Sequence, residues 1–213
     1  MTGSTRREER DTNQSLRRSR VRRVRPFTNR RRETRRRLIA RHIALLRAIN
    51  VGGRTVKMDH LRDLFVELGF RNVATLIASG NVTFDASTAE AAKLESKIER
   101  HLHTRLGFLS ETYLRTLPEL EAVIGHTAFP AATVKSAHAL WIAFLKKEPA
   151  RGAIDGLMAV QCSTDEFHVH GREIYWLRRA TSTESQFKGS LDKILGMPVT
   201  ARNITTVRKL VAM

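Results

Sequence analysis

Two short stretches carry the residues best suited to grip an anion. Arg47, Asn50, Gly52 and Gly53 follow an apolar run. A glycine-rich turn after a first strand presents backbone N–H groups to a negative ligand, and a neighbouring arginine adds charge. The stretch is not a phosphate-binding P-loop, because no Gly-Lys-Ser/Thr follows, and it lacks the three-glycine dinucleotide fingerprint. Its bland reading is a turn that needs positive φ at the glycines. The second stretch is Thr200, Arg202, Asn203, Thr206 and Lys209. Asn203 has the side chain of an N-cap, which places Thr200 and Arg202 just ahead of a helix start. There the orphan N–H groups and the dipole favour a negative ligand. Plain capping by Asn203 explains the same residues without a ligand. Arg202→Ala is therefore expected to abolish ligand-dependent stabilisation and to leave the fold intact. Ser79, Gly80 and Asn81 are first of all a hairpin turn; they join a site only if the turn faces one of the other two stretches.

Other chemistry is thinner. His168 and His170 are two apart on an expected strand and so share a face, with Cys162 close in sequence. No Cys/His set at structural-zinc spacing completes them, and the pair fits an exposed face opposite Phe167 and Val169. His101 and His103 fall on an expected helix, where residues two apart do not face each other. No metal site is expected. No Gly-x-Ser-x-Gly elbow appears, and Cys162 has no sequence sign of activation. A catalytic set assembled only in three dimensions would leave no trace in the sequence.

These residues sit on elements that hydrophobic spacing places. Residues 43–51 read as a strand buried on both faces, ended by Gly52 and Gly53. Met58, Leu61, Leu64, Phe65 and Leu68 recur at helical spacing, with Gly69 as the left-handed cap. Strands over 73–78 and 82–84 form the hairpin. Ser87 to Glu90 reads as a capping box for a helix reaching Gly107, and a strand over 108–115 follows. Strand, helix, strand, strand, helix, strand is the ferredoxin-like order. Thr116 to Glu119 is a second capping box, opening a connecting helix to Gly125; residues 127–136, with Pro130, read as loop. The same order then repeats: a strand at 139–145, a weak helix at 149–160, strands at 166–170 and 173–177 hinged at Gly171, and a helix at 183–195 capped by Gly196. Asn203 opens a last helix. The parallel lies in element order, not in residue identity. The fold class is α+β, with two ferredoxin-like (split βαβ) halves in tandem and a C-terminal helix. Residues 38–116 make the first half; residues 117–213 make the connecting helix, the second half and the last helix.

The runs IALLRAINVGG, LGF followed by ASGNVTF, and TARNITTVRKL, in this order and spacing, resemble the bacterial family known as domain of unknown function 1697. The likeness covers about residues 39–213. It implies the fold, and it implies no activity, since the family's is undetermined. The chain departs from the family at Ala48, where glycine is usual, and at Ala78, where glutamine is usual. The glycine matters for close backbone approach; the glutamine is a polar group able to touch a ligand.

Charge separates the chain into two parts. Its 213 residues carry a net +17, of which residues 1–37, with fifteen arginines and four acids, supply +11. Their few apolar residues cannot offset the entropy of ordering, so this segment is expected to be a disordered arginine-rich tail. It reads as a basic arm for nucleic acid, as an organellar targeting sequence (against which its acids count), or as a mis-placed gene start, the favoured reading, because the family resemblance begins near residue 38. One cysteine fits a reducing, cytoplasmic setting, and no apolar run is long enough to span a membrane. The function expected is a small binding protein for an anionic, phosphate-bearing ligand held by Arg47, Asn50, Gly52, Gly53, Ser79, Asn81, Thr200, Arg202 and Asn203. The alternatives are nucleic-acid binding through the tail and the sheet aromatics Tyr175 and Trp176, and an unrecognised enzyme. No membrane partner is expected, and the sequence does not indicate a cofactor or an oligomeric state.

Overall fold

The computed structural model describes residues 39–87 and 90–213, so the expected tail at 1–37 lies outside the described residues. From residue 39 on, the chain falls within one compact unit. The first half runs β1 (Ile39–Leu46), α1 (Met58–Glu67), β2 (Arg71–Leu76), β3 (Asn81–Ser87), α2 (Ala91–Leu106) and β4 (Thr112–Thr116). Then come α3 (Leu117–Gly125) and α4 (Ala131–Ser136). The second half runs β5 (Ala139–Phe144), α5 (Arg151–Ala159), β6 (Asp165–His170), β7 (Glu173–Arg178), α6 (Leu191–Leu195) and β8 (Thr200–Asn203), with α7 (Ile204–Val211) at the end. The sheets are antiparallel, in the orders β2-β3-β1-β4 and β6-β7-β5-β8. Each is the ferredoxin-like order, and together they make the two tandem halves. No helix among the described residues is long and apolar enough to cross a membrane.

The period-two pattern of β1 and β5 explains the layers. Ala44 and Leu46 point to α1 and α2 and share a core with Leu61, Phe65, Leu94 and Ile98. Ala143 and Leu145 do the same toward α5 and α6 in the second half. The alternate residues Ile43, Leu45, Ile142 and Phe144 meet in a third core with Leu120 and Val123 of α3 and Val207 and Leu210 of α7. The two sheets therefore share one core, closed by the helix that follows each half.

Several boundaries differ from the sequence reading. β1 ends at Leu46 because Ala48 and Asn50 adopt φ 59 and φ 54, left-handed values that a strand cannot continue through. Ser87 ends β3; α2 starts at Ala91, with Glu90 at its N-cap and no side-chain cap bond from it. The box at Thr116 is real: its N–H and hydroxyl both donate to Glu119, and its Oγ1 accepts from the Glu119 N–H. Residues 131–136, read as loop, form α4 behind Pro130. The helix read from residue 183 is only α6; residues 183–190 are irregular, tied down where Ser185 Oγ donates to Asp165 at 2.6 Å. Thr200 to Asn203, read as a lead-in to a helix, is β8, paired along β5. At four residues it is too short for a periodic signal.

Candidate functional site

The register aligns the two halves residue by residue. Ile43 of β1 lies opposite Arg115 of β4, and Ile142 of β5 lies opposite Arg202 of β8. Ile43 to Leu46 thus corresponds to Ile142 to Leu145, and the sequences IALL and IAFL agree at three of four positions, with Leu45 matched to Phe144. The repeat extends to residue identity here, which element order alone did not show.

Arg202 is 6 % exposed. Its Nη2 donates to the carbonyls of Leu46 at 2.8 Å and Ser79 at 2.9 Å, its Nη1 to Thr200 Oγ1 and the Ala201 carbonyl, and its Nε to Asn81 Oδ1. Every acceptor is uncharged. Burial away from water pushes its pKa down to about 10, still well on the charged side at neutral pH. Asn81 is fully buried and turns its amide to the Leu76 carbonyl and Ser79 Oγ. Ser79, Asn81, Thr200 and Arg202 do come together, then, at a junction between the halves in which Asn81, Thr200 and Arg202 are buried and Ser79 stands at the exposed edge. Gly80 lies in it too: at φ 75, a Cβ there would stand 2.9 Å from Ile49 Cβ.

The remaining expected residues stand nearby with partners of their own. Arg47 reaches away from the junction to Glu111 at 2.7 Å and Asp192, with Nε on the Val199 carbonyl. Burial alone would lower its pKa; the bond to Glu111 and the charge of Asp192 outweigh that and raise it. Asn50 stitches its loop, donating to the Val56 and Ala78 carbonyls and accepting from the Val56 N–H. Gly52 and Gly53 take φ 60 and 82 on an open surface. Asn203 caps α7, its Oδ1 accepting from the Thr205 N–H. Tyr175 is buried, its hydroxyl donating to the Val123 carbonyl; Trp176 packs on the opposite face against Phe167 and Phe187.

The described residues also build a hollow that the sequence did not suggest. It has a volume of about 320 Å³ and an apolar floor that includes Val123, Phe129, Leu140 and Ile204. Lys135 from α4, Arg208 from α7 and His126 from the end of α3 stand around it, and no Asp or Glu lines it. His126 Nε2 lies 3.1 Å from His168 Nε2, and its ring stacks on His170 with centroids 4.0 Å apart. The strand pair His168 and His170 was visible in the sequence; its partner was not, because His126 is 42 residues from His168 and has no periodic link to it. Among the described residues, no group of three or more His, Cys, Asp or Glu is placed to hold a metal ion.

Comparison with known proteins gives a family without an activity. The family model described as "Protein of unknown function (DUF1697)" matches residues 39–175. A solved structure, that of the conserved bacterial protein SP0830 from Streptococcus pneumoniae, is 22 % identical and superposes with a TM-score of 0.66. The match covers 83 % of this chain and 98 % of that one. At this identity the likeness shows a shared fold. No curated protein matches.

Proposed function

The chain belongs to the DUF1697 family of proteins of unknown function, and within that fold we propose that it binds a small anionic ligand with an apolar body in the hollow between α3, α4 and α7. One observation carries this reading: Lys135, Arg208 and His126 surround an apolar floor, and no acid among the lining residues neutralises them. An apolar body gains roughly 25 cal/mol per Å² of surface removed from water on such a floor. An anionic head gains charge-assisted contacts at the rim, stronger than neutral hydrogen bonds. The anion expected from the sequence is kept and its seat is moved. At the glycine turn Arg47 already faces two carboxylates, and at the β8–α7 junction the donors of Arg202 are spent on internal carbonyls, hydroxyl and amide. A cytoplasmic setting fits the single cysteine.

The test is a thermal-shift screen of aromatic and aliphatic carboxylates, sulfonates and phosphate esters. A ligand at a hundred times its Kd stabilises by about 2.7 kcal/mol. The shift should vanish in a Lys135→Ala/Arg208→Ala double variant that is folded without ligand. An undiminished shift in that variant would remove the reading.

A further inference from the structure

We propose that the hollow takes up a proton together with its anion, on the cluster formed by His126, His168 and His170, so that its affinity for anions is set by pH. The inference rests on the reading of the hollow as an anion site and names its regulation.

The geometry constrains the protons. A contact of 3.1 Å between His126 Nε2 and His168 Nε2 needs one N–H and one lone pair, so the two nitrogens cannot both carry protons. The His170 ring lies nearly parallel on His126, 15° from coplanar, which sets a second imidazole face to face with the first.

The charges around His126 decide when the cluster accepts a proton. Facing it are His168 and His170 from β6 and Tyr175 from β7, whose ring centroid is 5.0 Å away and whose hydroxyl is committed to the Val123 carbonyl. Lys135 of α4 and Arg208 of α7 stand around the same hollow. All of these are neutral or positive. The carboxylates of Glu119, Glu148 and Glu173 line the neighbouring hollow, alongside His170. Two of them are already engaged: Glu119 with Arg172 at 2.7 Å and Glu173 with Arg115 at 2.6 Å. No carboxylate lines the hollow beside His126, so a proton there lacks an adjacent counter-charge while the hollow is empty, and burial first, then His170 and His168, hold its pKa below the ordinary value. An anion on the rim supplies the missing charge. It favours the imidazolium, and by reciprocity the imidazolium favours the anion. Affinity therefore rises as pH falls, and levels off at high pH, where His126 is neutral with or without ligand.

The probe is 8-anilinonaphthalene-1-sulfonate, an apolar anion whose sulfonate does not titrate in this range. Isothermal titration of the full chain should show binding about tenfold tighter near pH 5.5 than near pH 8, with near-UV circular dichroism unchanged. Runs in two buffers of different ionisation enthalpy should show net proton uptake on binding. His126→Gln should flatten the pH dependence, and His168→Gln, at the half-buried partner, should flatten it independently of how the first variant folds. Equal affinity at both pH values, with binding still weakened by Lys135→Ala/Arg208→Ala, overturns the proton inference and leaves the anion site standing. An undiminished pH slope in both histidine variants overturns it as well. Failure of the probe to bind at either pH, or binding indifferent to Lys135 and Arg208, removes the anion reading and this inference with it.

Discussion

Arg115 and Arg202 hold equivalent places in the two halves, and each fastens the half it does not belong to. Arg115 Nη2 donates to the Leu145 carbonyl at the end of β5, and Arg202 Nη2 donates to the Leu46 carbonyl at the end of β1, both at 2.8 Å. Arg115 also reaches Arg172 and Glu173 on the β6–β7 hairpin; Arg202 reaches Ser79 and Asn81 on the β2–β3 hairpin. The partners are not identical. Arg115 has a carboxylate, and Arg202 has only neutral oxygens.

Arg202→Ala should therefore destabilise the fold itself. It strands the Leu46 carbonyl and the Asn81 amide in a buried junction, and each such group costs roughly 1–3 kcal/mol; the Ser79 carbonyl, on an exposed turn, is left to water. A loss on the order of 3–5 kcal/mol in urea unfolding is expected, with Arg202→Lys restoring only part, since a lysine cannot fork across several acceptors. An alanine variant as stable as the parent would show that the junction is not what joins the halves.

Ala48→Gly should stabilise the chain. Ala48 sits at φ 59, where a side chain costs about 1–2 kcal/mol and glycine costs nothing. The extra entropy of an unfolded glycine takes back part of that, leaving a gain of about 0.5–1 kcal/mol. Gly80→Ala, at φ 75 and against Ile49, should go the other way. Equilibrium denaturation of both variants checks the two signs together.

His126 should make stability fall in mild acid. The His126 pKa is depressed in the folded state, by burial before anything else, so the unfolded chain binds the proton more readily. Its stabilising share is whole above the ordinary value near 6.5 and is lost as pH falls from there toward the lower folded value. Melting temperatures of the parent across that window should decline more steeply than those of His126→Gln. Parallel curves would count against it.

Ser185→Ala should loosen residues 179–190. Ser185 Oγ donates to Asp165, a buried carboxylate that also accepts from Thr164 and Trp176. Burial alone would raise the Asp165 pKa, and these bonds together bring it below the usual value. Without the serine contact, trypsin should cut at the exposed Lys188 several-fold faster while the global unfolding midpoint moves little. Unchanged cleavage would mean that the segment is held elsewhere.

What could be read from the chain was local. The apolar face Leu61, Leu64 and Phe65, the capping box at Thr116 and the cap Asn203 each carry their own signal, and each is present in the structure. Ala48 shows where that stops: nothing in its identity marks a left-handed residue, so β1 read five residues too long. β8 is recognised only by its pairing with β5, which no local pattern records. The same limit applies to the site. Polar residues at element ends read as ligand groups until the acceptors of Arg202, more than 120 residues away in sequence at Ser79 and Asn81, are known. His126 and His168 meet only through the fold.

Housing both halves on one chain has an effect that a symmetric pair of identical chains would not allow. In such a pair every substitution is made twice, so neither end can change without its twin. Here the positions equivalent to His168 and His170 across the repeat are Ala74 and Leu76. One end of the molecule carries imidazole rings where the other carries aliphatic side chains, and a covalent link between the two halves is what leaves each free to differ alone.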